Sequence, residues 1–201
     1  MRLANALLIW SGLALAIIVP LTFAASSEYL AWRDPVYITA GLAGVLALCI
    51  ALAQPLLAAG WLPGLRLWRG RRVHRVLGVV LVAAVIVHVA GLWLTSPPDI
   101  EDALLLRSPT PFSVWGVAGM WALFAAALLA IFQRRLPPLV WRIGHTSLVS
   151  IVVLGGVIHA MLIEGTMEPT SKALLCGLTI AATVIAVAAP WIRNRRRLGG
   201  K

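Results

Sequence analysis

Six apolar segments dominate the sequence, and each is long enough to cross a lipid bilayer. A transmembrane helix needs about 20 predominantly apolar residues. Because every backbone polar group must be hydrogen-bonded inside the membrane, such segments form helices. The sequence therefore predicts an all-α, polytopic membrane protein built as a six-helix bundle. The predicted spans are residues 5–24, 36–61, 72–94, 112–132, 140–163 and 173–192.

Composition agrees with a membrane protein and excludes other classes. Hydrophobic residues make up 61% of the chain and charged residues 12%, whereas a soluble domain has roughly 25% charged residues. The formal net charge is +10, but the basic residues lie in short loops between the spans. Lipid is therefore the expected partner, and nucleic acid is not. Cys49 and Cys176 lie within spans, where we expect them to pack as small hydrophobic residues.

The charges are distributed unequally between the two ends of the spans. Six spans place both termini on one side, and only Arg33, Arg107 and Lys172 of the 17 basic residues fall on the other. All seven acidic residues lie opposite the termini. By the positive-inside rule, both termini are cytoplasmic. The predicted location is the inner (cell) membrane of a bacterial-type cell.

The connections and the first span carry further predictions. The first span ends in small residues at 23–26 and resembles a signal peptide, but its apolar core is longer than usual, which favours a retained span. Leu62–Arg71 is expected to be a basic loop, and Pro55 to interrupt the second span late. In Thr95–Pro111, the centre has the composition of a short interfacial helix. No glycine-rich dinucleotide loop is present, so residues 1–201 are expected to be a single transmembrane domain without a flavin or NAD domain.

Four histidines lie within the predicted membrane region, in two pairs with equal spacing. His74 and His88 are in the third span, and His145 and His159 are in the fifth. Fourteen residues of α-helix rise by ~21 Å and turn to within about 40° of four full turns, so each pair occupies one helix face. The third and fifth spans run parallel. We therefore expect His74 to lie opposite His145 and His88 opposite His159.

Two ligands at each of two depths indicate a particular kind of metal site. Zinc and copper sites gather three or four ligands at one point, whereas haem iron needs only two axial ligands from the protein. The sequence thus predicts the iron pairs His74–His145 and His88–His159. One alternative is hydrogen bonding between helices. Another is a non-redox transporter with intramembrane histidines, although the carboxylates lie outside the spans.

Glycines and arginines near the histidines are candidate cofactor contacts. Gly78 and Gly155 would leave room for a flat porphyrin, or would serve close helix packing. Arginines at the cytoplasmic end would bind haem propionates, or would only follow the positive-inside rule. These arginines are Arg71, Arg72, Arg75 and Arg142. Trp141 and the other tryptophans at span ends are interpreted as an interfacial belt.

Two motifs give the chain a resemblance to a known family. They are Val73-His74-Arg75 followed by His88, and Trp141-Arg142-Ile143-Gly144-His145 leading to Gly155-Gly156-Val157-Ile158-His159. They resemble the ferric reductase-like transmembrane domain, which ferric reductases, NADPH oxidases and the haem-binding subunits of methionine sulfoxide reductases share. The resemblance implies an oxidoreductase component in which two b-type haems lie between the third and fifth helices. It also implies that the four histidines are axial ligands.

Departures from the family pattern affect the expected partners. Without a dehydrogenase domain, electrons would come from quinol or from a separate cytoplasmic flavoprotein that carries FAD or FMN. The acceptor would be an external ferric or cupric complex or a soluble reductase. The segment from Leu77 to His88 also resembles the sulfoxide reductase haem subunit. In those subunits the position of His74 is usually not a histidine, so the histidine here favours two haems over one. A structural membrane anchor is a third alternative, and no catalytic side chain is assigned.

Overall fold

Helices form nearly all of the regular structure in the computed structural model, which describes the backbone of residues 3–198 and the side chains of residues 3–188. No β-strand occurs within residues 3–198. Two single-turn 3₁₀ helices lie at Glu28–Leu30 and Gln133–Arg135. The α-helices are α1 (Leu3–Ala25), α2 (Pro35–Ala59), α3 (Leu67–Thr95), α4 (Pro97–Leu104), α5 (Ser113–Ile131), α6 (Pro138–Leu162) and α7 (Pro169–Leu198).

Six of these helices are long and apolar enough to cross a membrane, and only α4 is not among them. This confirms the prediction of an all-α chain with six long apolar helices that can span a membrane, and their bounds differ from the predicted ones by a few residues. The predicted third and fifth spans are α3 and α6. The short helix expected in the connection at 95–111 is α4, which has proline at its start. Proline suits a first helical turn because the N–H that it lacks has no partner there.

Two local predictions differ from the structure. Residues Leu67–Arg71 were expected in a loop but form the start of α3, because the chain reverses earlier. Gly60 and Gly64 adopt positive φ angles of 71° and 77°, which glycine accepts without steric cost. Pro55 does not interrupt α2, which continues to Ala59. A proline removes only one helical hydrogen bond, and neighbouring packed helices can hold the rest.

The helices pack as two hairpins, α2 with α3 and α5 with α6. The most extensive contacts join α2 to α3 and α5 to α6, while α7 packs against both α2 and α6. Within the described residues, α3 and α6 barely approach each other along their backbones. Cys49, Leu175 and Cys176 are buried in the cluster between α2 and α7, as expected for small apolar side chains. The fold thus leaves the facing sides of α3 and α6 free for side chains from both hairpins.

Candidate functional site

The four histidines meet as two pairs between α3 and α6. The ring centroids of His74 and His145 are 6.4 Å apart, and those of His88 and His159 are 6.3 Å apart. The ring planes cross at 77° in the first pair and at 82° in the second. The structure therefore brings together the same residues that the parallel spans predict. His74 and His145 form the inner pair, and His88 and His159 the outer pair.

The separation within each pair fits an ion between the rings better than a direct hydrogen bond. A bond of about 2.0 Å from each nitrogen to a metal, with ring bonds of about 1.33 Å, places the centroids roughly 6.3 Å apart. A direct N–H···N hydrogen bond of about 2.9 Å would bring them to roughly 5.2 Å. The observed distances of 6.4 and 6.3 Å match the first geometry. Each pair therefore has the ring spacing that two imidazole ligands of one metal ion would have.

The described residues also disfavour a metal site made by side chains alone. No group of three or more His, Cys, Asp or Glu side chains is close enough to hold a metal ion in this part of the chain. Protein sites for zinc normally use three or four such ligands. A porphyrin supplies four ligands itself and needs two from the protein. The donor set therefore suits haem.

Backbone carbonyls of the preceding helices hold three of the imidazoles. His88 Nδ1 lies 2.8 Å from the Ala40 carbonyl oxygen, and His159 Nδ1 lies 2.9 Å from that of Phe112. His74 Nδ1 lies 3.2 Å from the Gln54 carbonyl oxygen. Because a carbonyl only accepts, Nδ1 of His88 and of His159 must carry the proton and donate it. The tautomer assigned in this way leaves the Nε2 lone pair free for a metal.

Glycines in α2 and α5 make room for the outer pair. Gly44 lies one turn after Ala40, and a Cβ atom there would be 2.8 Å from His88 Nδ1. Gly116 lies one turn after Phe112, and its Cβ would be 2.6 Å from His159 Nδ1. Real Cβ contacts are essentially never shorter than 3.0 Å. The sequence prediction missed both glycines, although each lets an imidazole reach a helix carbonyl.

The two glycines that the sequence predicts as cofactor contacts have different surroundings. A Cβ at Gly155 would be 2.7 Å from the Trp115 carbonyl oxygen, so close packing of α5 on α6 accounts for this glycine without a cofactor. A Cβ at Gly78 would have the Gln54 side-chain amide as its nearest neighbour, at 3.9 Å, and a Cβ at Gly156 would meet nothing within 4 Å. A Cβ could therefore be added at Gly78 or Gly156 without a clash, whereas at Gly155 it could not.

A buried amide side chain supports the inner pair. Gln54 is 9% exposed within an otherwise apolar part of α2. Its amide lies within hydrogen-bonding distance of both His74 Nδ1 and the Gly78 N–H. A buried polar side chain is costly without partners, and Gln54 finds them around His74. Gln54 is thus a third residue that the sequence prediction missed.

His145 is held differently from the other three histidines. Among the described side chains, its Nδ1 is a buried polar atom without a hydrogen-bond partner. The ring instead stacks on the Trp141 indole, with centroids 4.6 Å apart and planes inclined by 22°. Trp141 lies one turn earlier on α6, which begins at Pro138. Trp141 therefore contacts a candidate haem ligand, in addition to its expected place in the interfacial belt.

The candidate cations lie at both ends of the site. Arg71, Arg72, Arg75 and Arg142 are all exposed and lie within a turn of His74 or His145 in the sequence. At the opposite end, Lys172 is 7% exposed, and its Nζ donates a 2.8 Å hydrogen bond to the Ile163 carbonyl oxygen. Lys172 therefore stabilises the end of α6. The arginines remain predicted propionate contacts.

Comparison with known proteins identifies the family. The model of the family described as "Ferric reductase like transmembrane component" matches residues 11–156. The matched region contains His74, His88 and His145 and ends just before His159. No curated protein and no solved structure matches the chain significantly. Since the family model covers well over half of the 201 residues, the chain belongs to the ferric reductase-like transmembrane component family.

Proposed function

We propose that this protein transfers electrons across a membrane and holds two b-type haems between α3 and α6. The observation that carries the proposal is the pair of histidine–histidine separations, 6.4 and 6.3 Å. His74 and His145 would hold the haem on the cytoplasmic side, and His88 and His159 the haem on the external side. When bound, haem supplies one-electron chemistry, while the protein orients the cofactor and sets its environment.

The side chains and backbone of this chain would define the geometry of each site. The carbonyl groups of Ala40, Gln54 and Phe112 fix three imidazoles through Nδ1. Such outer hydrogen bonds orient a ligand and raise its basicity. The helix α3 places His74 and His88 ~21 Å apart along one continuous helix. The two sites would therefore span most of the hydrocarbon core.

The distribution of charge supports the proposed entry of electrons on the cytoplasmic side and the partners expected there. The first residues of α3 and the preceding loop carry the basic side chains Arg66, Arg69, Arg71, Arg72 and Arg75. This basic end would face the cytoplasm of a bacterial-type cell. There it would contact anionic lipid or an acidic flavoprotein that carries FAD or FMN, or electrons would come from quinol. The basic C-terminal tail has its side chains outside the described residues.

The external acceptor would be a ferric or cupric complex or a soluble reductase. A haem-binding subunit of a methionine sulfoxide reductase system is the second candidate, favoured by the segment from Leu77 to His88. The position of His74 opposite His145 favours two haem sites instead. A transporter would place acidic groups along its path, yet all seven acidic residues lie outside the six long helices.

An optical spectrum with haem stoichiometry tests the proposal. Oxidised and dithionite-reduced protein, purified in detergent, should show a six-coordinate b-type spectrum with two haems per chain. His74→Ala and His88→Ala should each retain one haem. Val79→Ala, at an exposed position of the same helix, should retain both and serves as the control. Failure of the wild-type protein to bind haem, even after reconstitution with hemin, would refute the proposal.

A further inference from the structure

The inner pair contains one histidine whose ring orientation no hydrogen bond fixes. His74, His88 and His159 each direct Nδ1 to a carbonyl oxygen at 3.2, 2.8 and 2.9 Å. Among the side chains of residues 3–188, none hydrogen-bonds to His145 Nδ1, which is buried. A ligand whose second nitrogen is hydrogen-bonded keeps its tautomer and orientation, and a ligand without that bond can rotate more freely. His145 therefore needs another restraint if it is to face His74.

The Trp141 indole is in the right position to supply that restraint. Its ring lies 4.6 Å from the His145 ring at an angle of 22°, which is a stacked arrangement. Residues four apart on a helix share one face, so the backbone of α6 itself sets this contact. Phe112 contacts His159 only edge-on, at 5.7 Å and 70°, and His159 also has its carbonyl bond. The stacked contact is thus specific to the histidine that lacks a hydrogen bond.

We propose that Trp141 is the positioning residue of His145 and replaces the hydrogen bond that holds the other three histidines. The inference rests on the proposed function, because it concerns the hold of His145 on haem iron. Without the indole, the His145 ring turns away from the inner site more often. The coordination position on that side then becomes open to a small neutral ligand such as carbon monoxide. Where haem is bound, carbon monoxide would take the place of the His145 imidazole on the reduced iron, with no net electron transfer.

Carbon monoxide binding to dithionite-reduced protein tests this role. Trp141→Leu removes the stacked ring and keeps an apolar side chain, while Trp141→Phe keeps an aromatic ring. Trp121→Leu is the matched control, because Trp121 is exposed on α5 and contacts Phe124 rather than a histidine. His145→Ala and His159→Ala provide reference spectra for carbon monoxide at the inner and outer sites. Haem content and gel filtration report whether each variant is folded.

The expected result is a rise in carbon monoxide affinity in Trp141→Leu alone. Loss of one aromatic stack corresponds to about a two- to tenfold change, and the reacting haem should match the His145→Ala spectrum. Trp141→Phe and Trp121→Leu should resemble wild type. Adding Trp141→Leu to His145→Ala should change nothing further, because the indole acts through His145.

Three results would overturn the inference. Trp141→Leu could bind carbon monoxide no better than wild type, its reacting haem could match His159→Ala, or Trp121→Leu could show an equal rise. Each of these outcomes leaves the proposed function standing, provided that the wild-type protein retains two six-coordinate haems. Absence of haem from the wild-type protein would refute both proposals together, so the two failures are distinguishable.

Discussion

Replacing Gly44 by alanine tests whether the carbonyl bond of His88 matters to the outer site. The added Cβ would lie 2.8 Å from His88 Nδ1 and 2.9 Å from Cε1. Ordinary van der Waals contact begins near 3.4 Å, so the ring must move by several tenths of an ångström. That movement breaks or lengthens the 2.8 Å bond from Nδ1 to the Ala40 carbonyl oxygen. Gly41 lies three residues earlier on α2 and has nothing within 4 Å of an added Cβ.

The expected magnitudes separate the two substitutions. Both gain roughly 0.5–1 kcal/mol of helix stability from the change of glycine to alanine. Only Gly44→Ala also loses a hydrogen bond, which contributes about 0.5–1.5 kcal/mol. Loss of an outer hydrogen bond to a metal ligand lowers metal affinity by roughly 10- to 100-fold, or about 1.4–2.7 kcal/mol. Gly44→Ala should therefore weaken haem binding with little change in protein stability.

The measurement is made on protein that retains only the outer haem. In a His74→Ala background, haem transfer to excess apomyoglobin gives the dissociation rate from the site of His88 and His159. We expect this rate to rise by about 10- to 100-fold in Gly44→Ala and to stay unchanged in Gly41→Ala. Equal rates in the two variants would refute the reasoning, since they differ only in contact with His88.

Three further predictions concern packing, the start of α7 and topology. Gly155→Ala should separate α5 from α6, since its Cβ would lie 2.7 Å from the Trp115 carbonyl oxygen; thermal unfolding should occur at lower temperature than in Gly156→Ala, where the space is open. Hydrogen bonds from the backbone N–H groups of Ser171 and then Thr170 lower the pKa of Glu168 from 4.5 to about 2. The ionised Glu168 carboxylate therefore stabilises the folded state above about pH 4.5, and this contribution is lost as the pH falls through about 2. The difference in unfolding temperature between wild type and Glu168→Gln should narrow as the pH is lowered across that range. Alkaline phosphatase fused in the acidic loop between the third and fourth spans should be active, and in the basic loop between the fourth and fifth spans inactive; the reverse pattern would contradict the proposed orientation.

The sequence alone predicts the helices and the histidine pairing, because both follow from the hydropathy and the residue spacing of the spans. Long apolar segments can satisfy their backbone only as helices in a membrane, and the structure has the six expected spans. A spacing of fourteen keeps His74 and His88 on one helix face. The number of spans then makes α3 and α6 parallel, so each histidine meets its counterpart at the same depth.

The residues that surround the histidines come from helices distant in the sequence. His88 reaches back 48 residues to Ala40, and His159 reaches back 47 residues to Phe112. The nearly equal separations, each with a glycine one turn later, are a repeat between the two hairpins that the sequence prediction did not detect. Glycine is common in membrane helices, so Gly44 and Gly116 have no local signature. Their role depends on which carbonyl an imidazole meets.

Packing also decides between alternatives that the sequence leaves open. Gly155 and Gly156 are adjacent and chemically identical, yet one meets the Trp115 carbonyl and the other faces open space. Trp141 has the position of a belt residue, but its indole stacks on His145. The sequence determined the spans and the pairing of the histidines, because hydropathy and helix periodicity are local properties. The tertiary structure decided how each imidazole is held, because these contacts join residues 20 to 48 positions apart in the sequence and depend on how the helices pack.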